Sequence, residues 1–417
     1  MRRPVRVAAL ATLTVMLDSA VNIAFPAISE AFGVPATSIQ WVVLTYVGAF
    51  AIGLLPAGRL ADRAGPGWVL RAGLVLTAGA HLGCGFAPAW AGLLAARIAQ
   101  GVGAALVMAA APAAVTLGVA ADRRARTLGR LGLAAGLGMV LGPLLGGALL
   151  APFGWRVVYL GRVPLALGAL WLARGVARPR RGGAPLLAAP GSLAPASDAA
   201  RPGGTDEAPA GGAAGRADRW GFVAANAAHL LASAALFAVW LLVPYYLLER
   251  RGYSGVAGGL LFAAGPLAWA VATPLGGRAA GRGVAGLAPA ALVAEAAGLW
   301  LTGRLSDAAS PAMIVAALGL AGLGYGLFTV PNMHDVLGAL PRARQGVGGS
   351  LVALMRTAGI LAGAGATTAV YAARLASHLR AGLSPLDARA AAFADAFTAA
   401  AAVAALAALL ALRRPGR

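Results

Sequence analysis

Apolar residues fill this chain in runs of about twenty, each long enough to cross a hydrocarbon core roughly 30 Å thick. Twelve such runs can be drawn, at 7–28, 41–60, 69–88, 93–118, 127–150, 157–173, 219–247, 256–277, 284–303, 311–334, 346–371 and 391–412. Short polar turns separate them, with one exception. Residues 174–218 are rich in Ala, Gly, Pro and Arg and carry no apolar period, so they read as a flexible cytoplasmic linker. The pattern predicts an all-α membrane protein of twelve transmembrane helices in two six-helix bundles. The expected bundles are residues 1–173 and 219–417, the second ending in a short basic tail.

Composition strengthens this reading. Of 417 residues, 59% are hydrophobic and 12% charged, and many of the 59 glycines and 25 prolines fall inside the apolar runs. Close-packed membrane helices tolerate both residues. The formal charge of +20 comes from arginine alone, since lysine is absent. The arginines crowd alternate loops: Arg2, Arg3 and Arg6 before the first span, Arg59, Arg63 and Arg71 around the second–third loop, and Arg123, Arg124, Arg126 and Arg130 around the fourth–fifth. The intervening loops at 33–39 and 87–92 have none. Positive residues stay inside, so both termini are expected in the cytoplasm. No compact basic domain is present, which argues against nucleic acid as a partner. Cys84 is the only cysteine, which excludes an intrachain disulfide and a thiolate metal cluster. The first run is too long and too polar at Asp18 for a cleavable signal, and is expected to remain as an anchor.

Three groups change the picture from membrane protein to carrier. Asp18 lies inside the first span, where a charge costs on the order of 3 kcal/mol and marks a proton, ion or substrate path by default. Asn22, four residues on, shares its helix face. Arg97, deep in the fourth span with Gln100 one turn away, cannot shed its charge and needs a partner. The bland alternatives are a permanently hydrogen-bonded Asp18 and an Arg97 that snorkels to the surface. The halves also echo each other: Gly58-Arg59-Leu60-Ala61-Asp62-Arg63 follows the second span and Gly277-Arg278-Ala279-Ala280-Gly281-Arg282 follows the eighth. Parallel six-span repeats imply two bundles facing each other across a midplane cavity.

At this point the chain resembles the major facilitator superfamily, and within it the drug–proton antiporter (multidrug efflux) branch. Four segments carry the resemblance: Leu17–Pro26 in the first span, Gly58–Gly65 after the second, Arg97–Ala105 in the fourth, and Gly129, Gly138 and Gly142-Pro143-Leu144-Leu145-Gly146-Gly147 in the fifth. The likeness implies that Asp18 and Arg97 couple transport to protons. It implies that Gly58, Asp62, Arg63 and Gly65 form a conformational gate, latching against the start of the eleventh span. It also makes Gly138, Gly142, Pro143, Gly146 and Gly147 a helix interface that limits leak and biases the carrier toward exchange. The chain departs from the pattern in Pro66-Gly67 after the loop signature, in having only a polar linker where close relatives add two spans, and in Arg162 where they tend to have asparagine.

Spans one, four, seven and ten line the cavity in this superfamily. Asn22, Gln100, Asn226, His229, Ser233, Phe237, Trp240, Tyr325, Phe328 and Asn332 are therefore the candidates for the substrate cavity, where aromatic faces could hold an organic cation. Glu295 and His81 fall in supporting spans and read as structural, with Glu295 kept as a second proton-site candidate. His334-Asp335 reads as an interfacial pair and Cys84 as packing. No phosphate-binding loop, histidine metal pair or serine elbow is present, so no enzyme is expected. No cofactor is expected either, the proton gradient supplying the energy. The expectation is a monomeric proton antiporter in the cytoplasmic membrane that exports small amphipathic, drug-like molecules. Its rivals are an exporter of one metabolite or self-made antibiotic, and a non-transporting sensor of the same fold.

Overall fold

A computed structural model describes residues 3–116, 121–174, 213–282, 284, 286–339 and 345–413. Most of the expected linker, and the last residues of the basic tail, lie outside that set. Among the described residues the chain is helical throughout, without strands. Ten helical stretches are long and apolar enough to cross a membrane. Pro66–Gly85 and the shorter apolar Leu287–Gly303 take the third and ninth places in the series, so twelve spans follow one another in sequence.

Several spans are broken, and proline accounts for breaks in two of them. Span one consists of Arg3–Met16, a 3-10 turn at Leu17–Ser19, and the helices Ala20–Ile23 and Phe25–Phe32. Pro26 sits in the first turn of the last piece, where its missing N–H leaves the preceding turn without a backbone bond. Span six is Arg156–Leu160 followed by Val163–Ala173, with Pro164 in the first turn of the second piece. Span eight is likewise split, into Gly255–Phe262 and Ala264–Gly281. Span seven, Ala213–Tyr245, starts ahead of residue 219 and runs on through a π-helical turn, Tyr246–Arg250. Spans two, four and five are Gln40–Ala64, Trp90–Thr116 and Ala121–Phe153; ten, eleven and twelve are Pro311–Gly338, Gln345–Arg380 and Pro385–Ala411.

Among the described residues, the shared core of the two halves lies at one end. At the end remote from the N-terminus, Phe25, Ile28, Ile39 and Val42 of the first half share a core with Leu241, Val243 and Leu247 of the second. The Tyr245 hydroxyl reaches the Phe25 carbonyl there, at 3.5 Å. At the end that carries the N-terminus each half keeps a core of its own. One comprises Val5, Val7, Ala61, Leu70, Ala110 and Val115, the other Ala225, Val336 and Val352. Among the described residues the halves thus share a core at the far end and keep separate cores at the near one.

Candidate functional site

The Asp18 carboxylate is the centre of a buried polar cluster at the join of spans one, two, four and six. Arg97 grips it with both terminal nitrogens, Nη1 to Oδ1 at 2.7 Å and Nη2 to Oδ2 at 3.0 Å. Arg162 Nη1 donates to the same Oδ1 at 2.7 Å, and Gln100 Nε2 donates to it at 2.8 Å. Oδ1 therefore accepts three N–H bonds and Oδ2 one. Arg97 is 2% exposed, Arg162 4% and Asp18 14%, so the carboxylate is the member of the cluster nearest open space.

Each side chain is aimed by its backbone. Asp18 sits in the 3-10 turn, which the Ser19 hydroxyl tightens by donating back to the Met16 carbonyl at 3.2 Å. Arg97 Nε donates to the Val42 carbonyl at 2.8 Å, and its guanidinium lies 4.3 Å from the Tyr46 ring centre. Bidentate pairing, a backbone acceptor and a ring face together hold a planar guanidinium in place. Arg162 occupies the break in span six. Its Nε donates to the Val158 carbonyl at 3.0 Å and its guanidinium lies 5.3 Å from the Tyr159 ring centre. Asn22 does not join this cluster; its amide turns to the Ser19 carbonyl at 3.1 Å. Gln100 bridges outward, accepting from Arg97 Nη1 at 2.9 Å and contacting Cys84 Sγ at 3.7 Å.

The glycines of span five are where helices touch. A Cβ on Gly138 would meet Met16 Cβ at 2.7 Å, one on Gly142 would overlap the Ser19 hydroxyl, and one on Gly146 would lie 2.7 Å from the Ala20 carbonyl oxygen. These three glycines therefore seat the broken part of span one. Gly147 faces the other way: its Cβ would overlap the Gly255 carbonyl, and Gly259 approaches the Pro143 carbonyl. Span five is in contact with span one of its own half along one stripe and with span eight of the other half along the next.

The stripes on spans seven and ten meet one another. Asn332 Nδ2 lies 3.3 Å from His229 Nδ1, the Ser233 and Tyr325 hydroxyls are 2.9 Å apart, and the His229 ring lies 5.6 Å from that of Phe328. Trp240 packs edge-on to Phe262, and Asn226 Nδ2 bonds the Phe222 carbonyl. A small apolar crevice lined by Leu236, Val239, Trp240, Trp269 and Leu318 lies alongside. Gly58, Asp62 and Arg63 occupy the last two turns of span two, and Gly65 turns the chain with φ +87°. One Asp62 oxygen is buried with no hydrogen bond, and among the described residues no ion pair joins Asp62 to Arg59 or Arg63. The side chains that open span eleven lie outside the described residues. Glu295 is fully buried with both oxygens unbonded, as are both ring nitrogens of His81, while His334 and Asp335 lie 4.0 Å apart.

Two members of the cluster escape sequence reasoning, and a third is only half seen. Tyr46 and Tyr159 look like any aromatic in an apolar run. Arg162 is visible as a departure from the pattern, and its place inside an apolar span is the signal that it needs a partner.

Two helical bundles, closed at one end over a buried ion cluster, define a multi-pass membrane carrier. Residues 7–364 match the family model described as Major Facilitator Superfamily, and the chain belongs to that superfamily. Its relatives place it beside drug-efflux proteins. An uncharacterized MFS-type transporter of Mycobacterium tuberculosis is 39% identical over 38% of this chain and 28% of its own. The methylenomycin A resistance protein of Streptomyces coelicolor is 37% identical over 45% of this chain and 41% of its own. The chain thus matches under half the length of each. The riboflavin transporter RibZ of Clostridioides difficile is 26% identical over 81% of both chains. Among solved structures, a bacterial homolog of the human lysosomal transporter Spinster, inward-facing and occupied, shares the fold. Its TM-score is 0.79 at 17% identity, over 98% of this chain and 95% of that one. Superfamily members of this fold are transporters, not enzymes.

Proposed function

We propose that this protein is a proton-coupled antiporter that exports small, amphipathic, drug-like molecules across the cytoplasmic membrane. One observation carries the reading: a carboxylate held by a bidentate guanidinium inside an apolar bundle, at the margin of open space. Protonation of Asp18 removes the charge that holds Arg97, frees the guanidinium, and shifts the balance between the two access states. Relatives that confer antibiotic resistance support efflux as the direction.

Both termini lie in the cytoplasm, as the arginine-rich loops require, so the conformation closed at the far end faces inward. The bundles are residues 1–173 and 219–417, and the protein works as a monomer. Asp62, Arg63, Gly58 and Gly65 form the gate that latches the outward-facing state, and are unlatched in the inward-facing one. The stripes on spans seven and ten form the second-half wall of the substrate cavity once they separate.

The test uses everted membrane vesicles with a pH-sensitive dye. A substrate added to an established gradient should dissipate it with the wild-type protein and not with Asp18→Asn. Full coupling in Asp18→Asn would remove Asp18 from the mechanism. A second reading, a transporter dedicated to one metabolite, is favoured by the match to a riboflavin transporter over most of both chains. A substrate profile confined to one compound would establish it.

A further inference from the structure

The charges of the Asp18 cluster do not balance. Two guanidiniums, both almost wholly buried, face one carboxylate, which leaves one positive charge in the membrane interior. A buried ion without a counter-charge is strongly destabilising. The surplus belongs to Arg162. Arg97 uses Nε, Nη1 and Nη2, whereas Arg162 shares an already crowded Oδ1 through Nη1 and leaves Nη2 buried with no partner.

Other buried groups around Arg162 also lack partners. The Tyr159 hydroxyl, the Trp155 indole N–H and both ring nitrogens of His81 make no hydrogen bond. Tyr159 and Trp155 lie one and two turns before Arg162, with ring centres 6.2 Å apart, and His81 belongs to span three, which packs on both pieces of span six. Buried polar groups without partners are rare. The helix Val163–Ala173 also begins here, so the positive end of its dipole adds to the field.

We infer that Arg162 is the recognition point for an acidic group on the transported molecule. A carboxylate or similar oxyanion would take Nη1 and Nη2 of Arg162 together, replacing the single Asp18 contact and leaving Asp18 to Arg97. Fork-to-fork pairing of this kind is the strong and directional form of the interaction. The cluster then holds two guanidiniums and two anions and is neutral. The substrate class is narrowed from amphipathic molecules in general to organic acids with an apolar body. This rests on the proposed transport function but is tested without it.

The experiment measures equilibrium binding to the purified full chain in neutral nanodiscs, so it does not depend on flux or proton coupling. Benzoate is the probe and benzamide, its uncharged near-isostere, the control. Thermal unfolding and intrinsic fluorescence titrations are read for wild type, Arg162→Asn and Arg162→Lys. The expected result is that benzoate stabilises the wild type in a saturable way and benzamide does not. Arg162→Asn should lower benzoate affinity at least tenfold, and Arg162→Lys, which keeps the charge without the fork, should lie between. Equal responses to benzoate and benzamide, no response in a folded wild type, or an undiminished response in Arg162→Asn would each overturn the inference. If Arg162→Asn fails to fold, the Arg162→Lys comparison decides alone. Proton-coupled export as measured in vesicles would stand or fall separately.

Discussion

Arg97 and Arg162 donate to the same oxygen of Asp18, each at 2.7 Å, one from span four and the other from the break in span six. Asp18 is thus the counter-ion of two helices at once. Removing any one of the three has a different electrostatic result, and the difference can be measured.

Asp18→Asn leaves two buried guanidiniums without an anion, and should destabilise the purified protein by about 3 kcal/mol or more. Arg162→Gln removes the surplus charge, leaves one balanced pair and should leave stability unchanged or raise it. Thermal unfolding in one detergent, with both variants side by side, checks the order. If Arg162→Gln proved the more damaging, Arg162 would not carry the surplus charge.

Tyr46 lies beneath the Arg97 guanidinium. Tyr46→Phe keeps the ring face and should transport as the wild type does. Tyr46→Leu keeps apolar bulk but removes the π-face, at a cost of about 1–2 kcal/mol to the placement of Arg97. Proton-coupled flux should then fall about tenfold; equal flux in the two variants would show that the ring only fills space.

The span-five glycines predict a graded series. Gly142→Ala and Gly147→Ala each drive a methyl group into a neighbouring span and should cost about 1–3 kcal/mol. Gly136→Ala, on the same helix with open space around it, should be silent or slightly stabilising. A uniform response along the helix would mean that propensity, not contact, decides.

Asp62→Asn separates gating from recognition. Turnover should drop severalfold while substrate affinity, measured by binding, stays within twofold. A loss confined to affinity would assign Asp62 to the substrate instead.

The architecture was largely legible in the sequence because lipid imposes a length and a polarity on each span, and both are written locally. Asp18 and Arg97 were conspicuous for the same reason: a charge in a lipid-length apolar run stands out. Their contact was not, because it depends on how spans one and four lie against each other. Arg162 shows the limit most clearly. Its residue type is conspicuous, but the break at Pro164 that turns it toward Asp18, and the third spoke it adds to the cluster, arise only from tertiary packing. The aromatic stripes of spans seven and ten are legible as stripes, yet periodicity could not say that Tyr325 and Ser233 would close on each other.

Span five bears on the broken turn of span one through Gly138, Gly142 and Gly146, and on the opposite half through Pro143 and Gly147. It is therefore placed as a lever would be, with a fulcrum less than three helical turns long. A rotation of one half against the other would be delivered, within those turns, to the backbone on which Asp18 is mounted. Large residues along either stripe would loosen that linkage, so the glycines transmit force by leaving no room for slack.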